Sequence, residues 1–169
     1  MKSQEFIIRQ TTEEDWQRVR DLRLEMIQDT PIAFGETLEH ALTLTEAEWR
    51  ERGARGVAEN GTVMVAITST GEWIGTMGSY IPNLETGPLL VGVYVTPTWR
   101  GSQTGLADAL LEGIENWARA RSPKLTLEVH EDNLRAQRYY ELRGYARTGN
   151  TSAYELNTSK TQIEMTKYL

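Results

Sequence analysis

The stretch TPTWRGSQTG, residues 96–105, joins two segments with different hydrophobic patterns. The preceding run, LLVGVYV at residues 89–95, is almost continuously apolar and predicts a buried β-strand. Residues 106–117 repeat their apolar side chains at helical spacing. The stretch is therefore predicted to be a strand-to-helix turn, in which Gly101 and Gly105 let a ligand approach the backbone closely.

Such a turn presents a helix N-terminus, where unpaired backbone N–H groups and the helix dipole favour an anion such as pyrophosphate. Arg100 would add a charged contact to a phosphate. The alternative is a tight turn whose glycines only relieve the backbone and whose arginine is solvated. The stretch has neither the G-x-G-x-x-G pattern of dinucleotide-binding folds nor the lysine of a P-loop.

The amino-acid composition limits the kinds of functional site that this chain can form. A chain of 169 residues with 39% hydrophobic content is expected to form one domain, residues 1–169. It has no cysteine, which excludes disulfides, thiolate metal sites and cysteine nucleophiles. His40 and His130 are the two histidines and lie far apart in sequence, so no metal site is predicted.

The charge and hydropathy of the chain indicate its location in the cell and the kinds of partner that it binds. The first residues contain no apolar signal segment, and no run approaches the roughly 18 apolar residues of a membrane span. We therefore expect a cytoplasmic protein without membrane association. The net charge is −6 with both signs interspersed, which argues against a nucleic-acid partner.

The patterns along the chain predict the order β-α-α-β-β-β-α-β-α-β-β, an α/β (α+β) fold with a mixed, mostly antiparallel sheet of about seven strands and four helices. Strands 4 and 5 flank a helix and are expected to be parallel. Capping boxes at Thr11 with Glu14 and at Thr45 with Glu48 open the first two helices. Residues 32–39 are predicted to be an irregular loop or broken helix. The predicted strands are residues 5–9, 62–68, 73–80, 89–96, 125–130, 145–151 and 162–169, and the later helices are residues 103–121 and 133–143.

A second motif follows the fifth strand. Asn133 and Tyr140 lie two helical turns apart and so face the same side of the predicted helix. Together, V-x-P-x-x-R-G-x-x-x-G before one helix and N-x-x-A-x-x-x-Y-x-x-x-G-Y on the next resemble the acetyl-CoA-binding motifs of the GNAT superfamily of N-acetyltransferases. The element order agrees over nearly the whole chain, so the resemblance implies the GNAT acyl-CoA N-acyltransferase fold.

The resemblance implies an acetyl-CoA site without a metal. The turn at residues 100–105 would bind the CoA pyrophosphate through backbone N–H groups, and strand 4 would pair with the pantetheine arm. Gln103 departs from the glycine usual in the family and puts the width of the phosphate site in question. Asn133 would hydrogen-bond the pantetheine or the exposed end of the neighbouring strand, and its alternative role is that of a helix N-cap. The implied cofactor residues are Val93, Tyr94, Val95, Arg100, Gly101, Ser102, Gln103, Thr104, Gly105, Leu106, Asn133 and Tyr140.

The expected reaction is transfer of the acetyl group to a primary amine by direct attack on the thioester. Tyr140 occupies the family position of the general acid, and a phenol suits protonation of a thiolate. Tyr139 is expected to be a packing residue. The amine also needs a base, and the resemblance points to Glu128, with His130, Glu36 and a water relay as alternatives.

Acceptor selection is expected in the loop after the first helix. Residues 31–37 resemble a sequence of bacterial family members, where Phe34 would wall the pocket and Glu36 would meet an ammonium. Phe34 packing on the sheet is the alternative. The acceptor would be a small-molecule or peptide amine. Two alternative functions remain. The chain would be a non-catalytic acyl-CoA sensor or interaction module, or an enzyme that uses a different acyl-CoA as its donor. A homodimer through residues 162–169, as a terminal edge strand, is expected by analogy.

Overall fold

A seven-stranded sheet forms the centre of the computed structural model, which describes residues 5–169. The strands are β1 (Phe6–Gln10), β2 (Gly61–Thr68), β3 (Trp73–Tyr80), β4 (Leu89–Val95), β5 (Lys124–His130), β6 (Ala146–Tyr154) and β7 (Asn157–Tyr168). Their spatial order is β1-β2-β3-β4-β5-β7-β6, and every pair is antiparallel except β4 with β5. The mixed sheet and its parallel pair are as predicted.

Within residues 5–169, five α-helices accompany the sheet, one more than predicted. They are α1 (Trp16–Asp29), α2 (Leu38–Leu42), α3 (Glu46–Ala54), α4 (Leu106–Arg119) and α5 (Leu134–Glu141). The additional helix, α2, has five residues, too few for an apolar period to mark it, and the Thr37 side chain caps it by accepting from the His40 N–H. No helix within residues 5–169 is long and apolar enough to cross a membrane.

Two helices begin further along the chain in the structure than the sequence predicts. The capping box at Thr45 and Glu48 is confirmed, with the Thr45 N–H donating to Glu48 Oε2 at 2.7 Å. The first box is displaced by one residue, because the Thr12 N–H donates to Asp15 Oδ2 at 2.9 Å. α4 starts at Leu106 rather than at residue 103, because Gly105 before it adopts a left-handed conformation with φ +67°.

The sheet carries a hydrophobic core on each face. On one face α4 and α5 cover Ile74 and Met77, and on the other α1 and α3 cover Val65 and Trp73. The alternation of neighbouring strand residues between the two cores follows from the period of two in a β-strand. Both faces of the central strands are therefore covered.

The two C-terminal strands, β6 and β7, do not occupy the positions in the sheet that the sequence predicts. The segment predicted to be an edge, residues 162–169, belongs to β7, and β7 lies between β5 and β6. The edge strand at that end of the sheet is β6, because the β6–β7 hairpin folds back and inserts its second strand beside β5. Residues 162–169 therefore cannot form the edge contact of a dimer.

Candidate active site

The parallel strands β4 and β5 separate halfway along their length. They pair at Leu89 with Thr126 and at Leu90 with Leu127, and no further pairing joins them among the described residues. A β-bulge lies at the point of divergence, where Gly92 and Val93 together oppose one β3 residue. Gly92 takes a left-handed φ of +60°, which glycine adopts without strain. The bulge leaves the second half of β4 paired with β3 alone.

A cavity of about 270 Å³ lies between this half of β4, the turn before α4, and α5; we name it the α4 cavity. Nine of the twelve predicted cofactor residues line it. These nine are Val93, Tyr94, Val95, Arg100, Gly101, Ser102, Gly105, Asn133 and Tyr140. The structure thus brings together the two sequence motifs that are separated by a strand and a helix.

The three remaining residues shape or border the turn without lining the cavity. Thr104 Oγ1 donates to the Trp99 carbonyl at 2.8 Å and accepts from the Leu106 N–H at 3.3 Å. The Leu106 side chain is fully buried in the core. Gln103 is exposed. Gly101, with φ +107°, has no atom within 4 Å of the position a Cβ would take, so this part of the turn is open.

The α4 cavity has a positively charged lining. Arg100, Arg135 and Arg143 line it, and Asp108 is the one acidic lining residue in the described part of the chain. Arg100 is held in place because its Nε donates to the Val95 carbonyl at 2.8 Å and its guanidinium pairs with Asp29. Arg135 and Arg143 were not predicted as site residues, although their spacing of eight residues places them on one face of the predicted helix 133–143 with Tyr139.

α5 presents Asn133 and Tyr140 to this cavity. Asn133 is the N-cap of the helix, its Oδ1 accepting from the Ala136 N–H at 3.2 Å, and it lines the cavity as well. Tyr140 is 6% exposed, and burial raises the pKa of its phenol above the ordinary value. No hydrogen bond joins its hydroxyl to another residue among 5–169, whereas the neighbouring Tyr139 hydroxyl donates to Asp108 at 2.8 Å.

A second cavity, of about 290 Å³, occupies the gap between the diverging strands; we name it the β4–β5 cavity. Phe34, Glu128 and His130 line it. It shares six lining residues with the α4 cavity, namely Ala33, Phe34, Val93, Asn133, Ala136 and Tyr140. Tyr140 therefore stands where the two cavities meet.

Glu128 and His130 differ in their freedom to act as a base. Glu128 is exposed on β5 and accepts one hydrogen bond, from Ser152 Oγ at 3.3 Å. His130 is 4% exposed, and its Nδ1 accepts from the Asp132 N–H at 3.0 Å. Because Nδ1 is an acceptor, the proton of a neutral His130 lies on Nε2. The lone pair of His130 is already used, which favours Glu128 over His130.

Phe34 and Glu36 follow each other in the loop after α1 but face different surroundings. Phe34 is buried in the core on the α1 side and also lines both cavities. Tyr154 holds this loop by donating from its hydroxyl to the Phe34 carbonyl at 2.7 Å.

Glu36 lies outside both cavities and is the centre of an ion-pair cluster. Its Oε1 accepts from Arg23 Nε and Arg52 Nη1, both at 2.9 Å, and its Oε2 accepts from Arg52 Nη2 at 2.6 Å and from His40 Nδ1 at 2.9 Å. These four bonds fill the acceptor positions of a carboxylate. Burial alone would raise the pKa of Glu36, but the bonds from Arg52 and Arg23 outweigh it and lower the pKa to about 2. The structure thus leaves Glu36 no position for a substrate ammonium.

Comparisons with known proteins agree with this geometry. A sequence model of the acetyltransferase (GNAT) family matches residues 16–145. A search of curated proteins finds no significant match. A GNAT-family acetyltransferase from Streptococcus pneumoniae is similar in structure, with a TM-score of 0.78 and 18% identity over 98% of this chain and 100% of that one.

Two further solved structures are similar in fold. The PaiA N-acetyltransferase from Thermoplasma acidophilum, solved with coenzyme A, has a TM-score of 0.75 and 15% identity over 98% of this chain and 99% of its own. A streptothricin acetyltransferase homologue from Bacillus anthracis, solved with acetyl coenzyme A, has a TM-score of 0.58 and 20% identity over 67% and 65% of the two chains. On the match over residues 16–145, this chain belongs to the GNAT family of acetyltransferases.

Proposed function

We propose that this enzyme transfers the acetyl group of acetyl-CoA to the primary amine of a small molecule or peptide, with both reactants bound at the same time. The observation that carries the proposal is the position of Tyr140, which lines the α4 cavity and the β4–β5 cavity together. One cavity would hold the acetyl donor and the other the amine.

The residues of the α4 cavity fit a CoA donor. The second half of β4 has an edge without a partner strand among the described residues, where backbone groups from Val93 to Val95 can pair with the amides of a pantetheine arm. The turn at Gly101 and Gly105 and the N-terminus of α4 suit a pyrophosphate. Arg100 and Arg143 are ion-paired with Asp29 and Asp108, whereas Arg135 has no ion pair among the described residues and adds attraction for phosphate. The structures from Thermoplasma acidophilum and Bacillus anthracis, which hold coenzyme A and acetyl coenzyme A, support acetyl-CoA as the donor.

The β4–β5 cavity supplies the groups for proton transfer. An amine attacks a thioester only when it is deprotonated, and Glu128 is the proposed base, acting directly or through water. Tyr140 is the proposed general acid that protonates the CoA thiolate as it leaves. Because burial raises its pKa, Tyr140 keeps its proton at neutral pH, as a general acid must.

A calorimetric titration with acetyl-CoA tests the proposal first, with dephosphorylated pantetheine as the comparison. We expect micromolar binding that requires the pyrophosphate, followed by release of free thiol when an accepted amine is added. Binding without turnover of any amine would favour the acyl-CoA sensor, and no binding would mean that the turn containing Gln103 does not take the donor.

A further inference from the structure

The proposed reaction assigns no role to Arg23, whose side chain extends from α1 into two cavities. It lines the β4–β5 cavity and also a third cavity, of about 900 Å³, between α1, α3 and the sheet, which we name the α1–α3 cavity. Arg23 thus stands at the boundary between the proposed acceptor site and a larger space beside it.

The guanidinium of Arg23 is fixed at one end and free at the other. Its Nε donates to Glu36 Oε1 at 2.9 Å, and its Cζ lies 4.8 Å from the centre of the Phe34 ring. Its two terminal nitrogens make no hydrogen bond to any other residue of the described chain, 5–169, although the side chain is only 22% exposed. A planar pair of unpaired N–H groups in a fixed orientation is the arrangement that binds a carboxylate with two parallel hydrogen bonds.

The charges around the β4–β5 cavity are complementary to a zwitterion. Arg23 and Glu128 are the charged lining residues of the cavity within the described part of the chain. Glu36 is the partner of Arg23 outside this lining, but it also binds Arg52, so two guanidinium groups share one carboxylate and a positive charge is left over. An ammonium would be attracted towards Glu128 and an acid group towards Arg23.

We propose that the acceptor is an amino-acid-like molecule, a primary amine that also carries a carboxylate, and that Arg23 binds this carboxylate through its two terminal nitrogens. The inference rests on the proposed function, since it takes the β4–β5 cavity as the acceptor site. The cavity volume of about 290 Å³ suits a molecule of that size better than a folded protein segment. An amine without an acid group would leave the two terminal nitrogens of Arg23 without a charged partner and would be accepted less well.

The test compares matched acceptors and matched variants. Each L-amino acid and its carboxamide are offered with acetyl-CoA, and thiol release gives kcat/KM, because the carboxamide keeps the size and removes the negative charge. For the best amino acid we expect kcat/KM to exceed that of its carboxamide by about 10²-fold, the scale of a lost bond to a charged group. Arg23→Gln should remove this preference by lowering kcat/KM for the acid alone.

Arg52→Gln is the matched control, because Arg52 also binds Glu36 but does not line the β4–β5 cavity. It disturbs the same carboxylate and should keep the preference for the acid. Equal turnover of acids and carboxamides, a preference that survives in Arg23→Gln, or its equal loss in Arg52→Gln would overturn the inference. Acetyl-CoA binding with no turnover of either set would also overturn it. Failure to bind acetyl-CoA would overturn the proposed function, and the inference with it.

Discussion

Two adjacent tyrosines on α5 both line the α4 cavity but differ in what their hydroxyl groups contact. Tyr140 is buried, faces both cavities and has a hydroxyl without a hydrogen bond to the described residues, while the Tyr139 hydroxyl is bound to Asp108. Removing a general acid costs about 10²- to 10⁴-fold in rate. We therefore expect Tyr140→Phe to lower kcat by at least about 10²-fold, in steady-state assays with saturating acetyl-CoA, and to change the dissociation constant of CoA little.

Tyr139→Phe is the control for this substitution, since it removes a hydroxyl at the neighbouring position and keeps the ring. Its kcat should stay within about threefold of the wild type, as expected for a hydroxyl outside the reaction. Because burial raises the pKa of Tyr140, the wild-type rate should not fall on the alkaline side below about pH 10. Unchanged turnover in Tyr140→Phe across pH 7 to 9 would contradict the assignment.

The ion pairs of Glu36 predict how stability depends on pH. Its pKa is about 2 in the folded protein against 4.5 for the free side chain. The stabilisation is therefore complete above about pH 4.5 and is lost as the pH falls towards 2. Between pH 6 and pH 3 we expect the wild type to lose about 1–2 kcal/mol more unfolding free energy than Glu36→Gln, measured by urea denaturation. Parallel losses in the two proteins would show that Glu36 does not titrate with folding.

At the scale of the elements, the β4 bulge separates two strands that would otherwise pair. Gly92 has φ +60° there, and an alanine in this region costs about 1–2 kcal/mol. The strain is relieved if the bulge is lost and β4 moves towards β5. We expect Gly92→Ala to lower kcat/KM by tenfold or more, because displacement of a reacting group by about 1 Å can cost 10²-fold.

Gly71, in the turn between β2 and β3, provides the matched control for Gly92. It also has a positive φ, +86°, and open space around its Cβ position, but it lines none of the three cavities. Gly71→Ala should therefore reduce the unfolding free energy by a similar amount and leave kcat/KM close to the wild type. Equal activity losses in the two variants would mean that the bulge acts through stability alone.

The sequence predicts those elements whose signals are local. The capping box at Thr45, the β2–β3 turn at Gly71 and the apolar run of β4 each lie within a few residues, and all three are found in the structure. α4 begins later than predicted because the left-handed backbone conformation of Gly105 sets its first residue. The sequence pattern does not reveal the φ angle of that glycine. The glycine within β4 was a signal for a bulge, as an isolated glycine in a strand often is.

Contacts between distant segments account for what the sequence does not predict. Arg23 and Glu36 meet because α1 and the following loop pack together, and the resemblance of residues 31–37 to a family sequence does not indicate this ion pair. The place of β7 inside the sheet follows from how the last hairpin folds back, which the order of the strands along the chain leaves open. The motif residues of the turn and of α5, in contrast, meet in one cavity as the family resemblance implied.

For the molecule as a whole, the junction of the two cavities predicts the kinetic mechanism. Val93, Asn133 and Tyr140 line both spaces, so an acetyl donor in one and an amine in the other would be in contact within a single complex. The chain has no cysteine to carry the acetyl group between two separate steps. We therefore expect initial rates, measured while both substrates are varied, to give intersecting double-reciprocal lines. Mass spectrometry after incubation with acetyl-CoA alone should show no acetylated catalytic intermediate.

Tyr140→Phe should retain the intersecting pattern at a lower kcat, because it slows the transfer without changing the order of binding. Parallel lines with a burst of thiol release would instead indicate a covalent acetyl-enzyme, and the proposal that the amine attacks the thioester directly would then be wrong.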